Sequence, residues 1–190
     1  MNGISEFLLT CLYTVFVQNF IFTRGFGMSE GMRVHTRKGA FLRFALIISA
    51  FSLATCAACY AFDDLIVSLG LTFAGRAGVY ASILFVIYIF TSFAFKFIFK
   101  AKKEKLEILG IAAINTFVLA LPFINNIAAL NLAKTLGCGL GAGFSYIFAC
   151  LIISAGNERL SRNETIPALF KGTPALFIYV GIIALAFEGF

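Results

Sequence analysis

The sequence predicts an all-α membrane protein: six transmembrane helices arranged as two inverted three-helix repeats, with the first and fourth helices broken. Three observations predict it. The chain is 61% hydrophobic and 13% charged, with a mean hydropathy of +0.96, whereas soluble domains are about 45–50% apolar. Six charge-free runs, residues 7–23, 44–62, 77–95, 108–133, 135–157 and 172–187, approach the roughly 20 residues a spanning helix needs. Two of these runs, the first and the fourth, carry a side-chain amide in their interior and then a helix breaker.

The first is Thr14-Val-Phe-Val-Gln-Asn-Phe-Ile-Phe-Thr-Arg-Gly-Phe-Gly27, with Gln18 and Asn19 at its centre and glycines at 25 and 27. A polar amide in hydrocarbon is costly unless it faces protein or water, and glycine lets a helix stop there. A half-helix is expected. The fourth run repeats the device in Ile114-Asn-Thr-Phe-Val-Leu-Ala-Leu-Pro122, with Asn115 inside and a proline closing it. Asn19 and Asn115 are 96 residues apart in a chain of 190. Interrupted segments at corresponding places in two halves point to a site near the membrane midplane between repeats. The chain therefore reads as a single membrane domain, residues 1–190, with one repeat over about 1–95 and the other over about 97–190. The 96-residue shift also carries Phe62-Asp63 onto Glu158-Arg159. Three spans per half make the halves face opposite ways.

Between the spans, charge sets the orientation. Thirteen of the fifteen Lys and Arg residues fall in the first, third and fifth connections. The other two, Arg76 and Lys134, fall on the opposite side. The positive-inside rule makes the first group cytoplasmic, with both termini outside a bacterial-type cytoplasmic membrane. Because the basic residues lie between spans, the net charge of +6 reports topology and not a nucleic-acid partner. Glu6 stands where a signal peptide would be basic and no A-x-A site follows, so the first segment is expected to remain.

Within the spans, Gly137-Cys-Gly-Leu-Gly-Ala-Gly143 reads as close helix contact through small residues. It lacks the Lys-Ser/Thr ending and aqueous setting of a phosphate loop. The cysteines, Cys11, Cys56, Cys59, Cys138 and Cys150, lie in apolar runs and read as packing. Cys56 and Cys59 share a helical face, but a C-x-x-C without a second pair is a weak metal signal. His35 reads as a solvated loop residue. Asp63-Asp64 reads as a solvated helix end, with cation gathering at the outer surface as the alternative. No hydrolytic or zinc pattern is present in the sequence, so enzyme chemistry by this chain alone is not expected. Gln18, Asn19 and Asn115 are the midplane candidates for ion contact. Their other role is interhelical hydrogen bonding, worth on the order of 1 kcal/mol each.

The tail motifs Glu158-Arg-Leu160, Ile166-Pro167, Phe170-Lys-Gly172 and Ala186-Phe-Glu-Gly-Phe190, with the opening Thr14-Val-Phe-Val-Gln-Asn-Phe20, resemble the RnfA and NqrE membrane subunit family. The resemblance covers nearly the whole chain in length and span order. It implies an integral subunit of an ion-translocating electron-transport complex, paired with an RnfE-like subunit of opposite orientation and with other membrane subunits. It also implies a two-iron cluster between the paired subunits, held by cysteines from each broken helix. Here this chain departs from the pattern: the two cysteine positions fall on Ser29 and Thr116. Hydroxyls are poor substitutes for thiolates on iron, so no cluster is expected. The expected role is scaffold or ion path and not electron carriage. The alternative is a stand-alone small-molecule or ion transporter with a midplane site between the repeats.

Overall fold

The computed structural model describes residues 2–34 and 40–189, and every regular element among them is helical. His35, Arg37 and Lys38 of the first basic connection lie outside the described residues, as does Phe190. The elements are α1 (Gly3–Phe16), α2 (Phe20–Arg24), α3 (Met28–Val34), α4 (Ala40–Ala61), α5 (Asp63–Ser68), α6 (Phe73–Phe97), α7 (Lys103–Ala113), α8 (Thr116–Ile127), α9 (Leu132–Arg162) and α10 (Thr173–Glu188). A 3-10 turn, Ala168–Phe170, precedes α10.

Four stretches among the described residues are long and apolar enough to cross a membrane: Leu42–Ala61, Phe73–Phe97, Lys103–Ile127 and Leu132–Arg162. The apolar helices α1 and α10 have 14 and 16 residues, about 21 and 24 Å at 1.5 Å per residue, against a hydrocarbon core of about 30 Å.

The longest helix, α9, is the hub. Its 31 residues extend about 46 Å, and 61% of its most apolar window is buried inside the protein, against 11% for α6. Glycine makes this possible. A methyl group on Gly141 would lie 2.8 Å from the Cys11 carbonyl oxygen of α1, and one on Gly139 would lie 3.0 Å from the Leu53 Cα of α4. Gly137 likewise meets the Phe7 backbone, and Gly143 meets Ser49. The 137/141 pair therefore seats α1 and the 139/143 pair seats α4, each pair one turn apart on its own face of α9. The expected role of this stripe as helix contact is what the structure shows.

The main core lies where these helices meet the paired half-helices, around Phe20, Ile21, Ile48, Phe117, Val118, Tyr146 and Ile153. The peripheral α6 carries Phe85, Phe90, Phe93 and Phe97 on its exposed side. Phenylalanines exposed in such number suit hydrocarbon or another apolar surface and not water.

Candidate functional site

Two half-helix junctions hold the buried Asn19 and Asn115, and one polar cavity holds the buried Asn125 and Thr135. At the first junction α1 ends as the Val17 and Gln18 amides both donate to the Tyr13 carbonyl, at 2.9 and 2.8 Å. Asn19 then turns to extended backbone and caps α2: its Oδ1 accepts from the Ile21 N–H at 3.2 Å. Its Nδ2 donates to the Val15 carbonyl at 3.2 Å and to the Ser145 carbonyl of α9 at 3.3 Å. The amide is fully buried and both of its ends are used, which is how a side chain of this polarity is tolerated in an apolar layer. The five-residue α2 closes at Gly25, φ 71°, where Phe26 N–H reaches back to the Phe20 carbonyl at 3.1 Å. This reversal requires the left-handed conformation and so favours glycine.

The second junction repeats the device. After α7 ends, Asn115 is extended and its Oδ1 accepts from the Phe117 N–H at 2.9 Å, capping α8. Unlike Asn19, the Asn115 Nδ2 is buried without a hydrogen-bond partner among the described residues. Pro122 sits inside α8, where its ring removes one backbone donor and loosens the helix.

The two junctions touch. The Gly27 N–H donates to Thr116 Oγ1 at 3.2 Å, and Phe20 meets Phe117 edge-on with centroids 6.2 Å apart. Gly27 has φ 70°, and a methyl there would sit 3.2 Å from Asn115 Oδ1, so geometry and space both require glycine. Ser29 is exposed on α3, two residues past Gly27, and Thr116 is exposed beside the same contact. Gln18 is turned the other way: it is half-buried and lines an apolar groove with Tyr13, Phe16, Ile124 and Cys138. The structure thus brings Asn115, Thr116 and Gly27 together, places Asn19 against α9, and leaves Gln18 apart from them.

The resemblance implies a two-iron cluster at Ser29 and Thr116, and the donor set does not fit it. Both positions carry hydroxyls, and that of Thr116 already accepts a backbone hydrogen bond. Iron–sulfur clusters are held by soft thiolates. No group of three or more His, Cys, Asp or Glu converges among the described residues. Cys56, Cys59, Cys138 and Cys150 are buried as free thiols, and the Cys56 sulfur accepts from Asn125 Nδ2 at 3.3 Å.

The third polar feature is a cavity of about 150 Å³ at the far end of α4 from Arg43. It is lined by residues that include Cys59, Asp63, Tyr80, Asn125, Asn126 and Thr135. The Asp63 carboxylate accepts from Asn126 Nδ2 at 2.8 and 3.0 Å and from the Tyr80 hydroxyl at 3.2 Å. Arg76 donates to the other end of the Asn126 amide at 3.3 Å. Asp63 is therefore a gathered, partly buried acceptor, which corrects the reading of Asp63-Asp64 as a solvated helix end; only Asp64 is exposed. Sequence reasoning passed over Asn125, Asn126 and Tyr80. The charge count puts the second and fourth connections on one side of the membrane, and that was the available signal for bringing Asp63 and Asn126 together.

No family model matches the chain. Among curated proteins it is similar to the RnfA subunit of the ion-translocating oxidoreductase complex of Rhodobacter capsulatus, 30% identical over 190 residues that cover 97% of this chain and 96% of the relative. The corresponding protein of Aliivibrio fischeri is 27% identical over 98% of this chain and 96% of the relative. That of Pasteurella multocida is 26% identical over 98% and 97%.

Proposed function

The chain belongs to the RnfA-like family of ion-translocating oxidoreductase complex subunits, and from that premise we propose that it is an integral component of such a complex, acting as scaffold or ion path and not as an electron carrier. The observation that carries the reading is a likeness running through 97% of this chain and 96% of the relative, combined with hydroxyls at both expected thiolate positions. In this reading the partners are other membrane subunits of the complex, among them an RnfE-like subunit of opposite orientation. The exposed junction beside Ser29 and Thr116 is then a contact surface that has lost its electron carrier.

Six spans in two inverted triplets fit this role. The two capping asparagines, Asn19 and Asn115, support the arrangement, since each starts the second half of an interrupted apolar segment. The contacts support it as well: α1 packs on α9 as α7 and α8 pack on α4, and α4 packs on α9. The thirteen-to-two division of basic residues supports cytoplasmic first, third and fifth connections and outward termini. The buried Asn115 Nδ2, without a partner among the described residues, supports a polar contact at mid-membrane. That contact would serve an ion path in a complex, or a substrate in a stand-alone transporter.

The test is to purify the tagged chain from its native membranes in mild detergent and identify what accompanies it. Redox subunits at fixed stoichiometry are expected. A chain that purifies alone, and that by itself drives solute uptake into proteoliposomes lost in Asn115→Leu, would overturn the subunit reading in favour of the transporter.

A further inference from the structure

We propose that the cavity between α4, α5, α6 and α8 binds a small monovalent cation, held by the Asp63 carboxylate and the carboxamide oxygen of Asn125. Among its lining residues Asp63, Asn125, Asn126, Tyr60, Tyr80 and Thr135 carry oxygen atoms, and hard cations prefer oxygen ligands. A single carboxylate matches a single positive charge.

The second line of support is independent of the acid. Asn125 is only 5% exposed, and its Oδ1 has no hydrogen-bond partner among the described residues, although Nδ2 is engaged with Cys56. A carbonyl oxygen buried in a polar cavity without a donor is available as a ligand to such a cation. The C-terminal end of the 12-residue α8 also faces this space through Asn125 and Asn126, with Ala129 just beyond it, so the negative end of the helix dipole points toward the cavity. The chain turns back at Ala129, which has φ 48°. An alanine in the left-handed region persists only where its surroundings over-determine it.

Arg76 does not fill the role of the cation. Its guanidinium binds the far oxygen of the Asn126 amide and is not among the lining groups, so an amide stands between it and the carboxylate. It lowers the affinity of the site without occupying it. The site lies at the membrane face opposite the basic connections, the outer face in the proposed orientation. It stands on the cavity alone and not on membership of a complex, and co-purification results do not bear on it.

The experiment follows thermal unfolding of the purified full chain in uncharged detergent, with NaCl, KCl or choline chloride at constant ionic strength. Exposure of buried cysteines to a thiol-reactive fluorophore reports unfolding. A ligand of the folded state raises the midpoint with the logarithm of its concentration, so Na⁺ or K⁺ is expected to raise it over choline. Asn125→Leu is expected to abolish that rise, read as the difference between each salt and choline for the same variant. Should Asn125→Leu fail to fold, Asp63→Asn, which keeps the shape and loses the charge, reads the same dependence. Equal midpoints in all three salts would mean a cavity that holds water only and would overturn the proposal. A Na⁺ or K⁺ response that survives the Asn125 or Asp63 change would overturn it equally.

Discussion

Replacing the two capping asparagines by alanine is expected to have unequal effects, although both side chains start a half-helix. Asn19→Ala removes the cap on Ile21 N–H, worth about 1 kcal/mol, and the bond from Nδ2 to the Ser145 carbonyl, worth about 0.6 kcal/mol in a membrane. With the lost packing of a fully buried carboxamide, the sum is roughly 2 kcal/mol. Asn115→Ala removes an equivalent cap but also removes a buried Nδ2 that has no partner among the described residues, a penalty of about 1–3 kcal/mol. The two effects cancel, and the variant is expected near wild type. Asn19→Ser keeps a capping oxygen and should fall between. By the scaling for soluble domains of 150–250 residues, a 2 kcal/mol gap separates the midpoints by about 4–8 °C. Thermal unfolding in detergent, read through the buried cysteines, measures it. Asn115→Ala proving as damaging as Asn19→Ala would refute the hydrogen-bond assignment at both junctions.

Other expectations follow from the packing and the topology. Gly141→Val pushes a branched side chain onto the α1 backbone and should destabilise by about 1–3 kcal/mol, whereas Gly181→Ala, in open space on α10, should be silent in the same unfolding assay. In the folded protein Cys56, Cys59, Cys138 and Cys150 should resist a membrane-permeant maleimide while the half-buried Cys11 reacts slowly, as mass spectrometry of the labelled chain can check. In a background without native cysteines, Ser161→Cys should be labelled by an impermeant maleimide from the cytoplasmic side only, and Ser68→Cys from the outside only. Labelling of both from one side would refute the proposed orientation.

Much of this architecture was legible because membranes penalise polarity so sharply. An amide inside an apolar run has few solutions, and Asn19 and Asn115 adopt one of them by capping the helix that follows. The glycines at 137, 139, 141 and 143 announced close contact, but not that alternate pairs would seat two different helices. Adjacent amides were less readable: Gln18 and Asn19 are neighbours in the non-helical break, yet Asn19 bonds the Ser145 carbonyl of α9 while Gln18 lines the apolar groove. The first broken segment is interrupted twice, at Asn19 and again at Gly25 to Gly27, because the second break depends on the space that Asn115 and Phe117 leave. The Asp63 cluster was least visible, since its partners Arg76, Tyr80 and Asn126 lie 13, 17 and 63 residues away and meet only once α5, α6 and α8 are in place.

In the proposed role the chain keeps the family's membrane architecture without the family's electron carrier. The most direct measurement is iron content and paramagnetic resonance of the complex purified through this chain, compared between wild type and a Ser29→Ala/Thr116→Val double variant. The account predicts a complex of unchanged subunit composition and an iron signal indifferent to the double change. A two-iron signal that disappears with those two hydroxyls would contradict it.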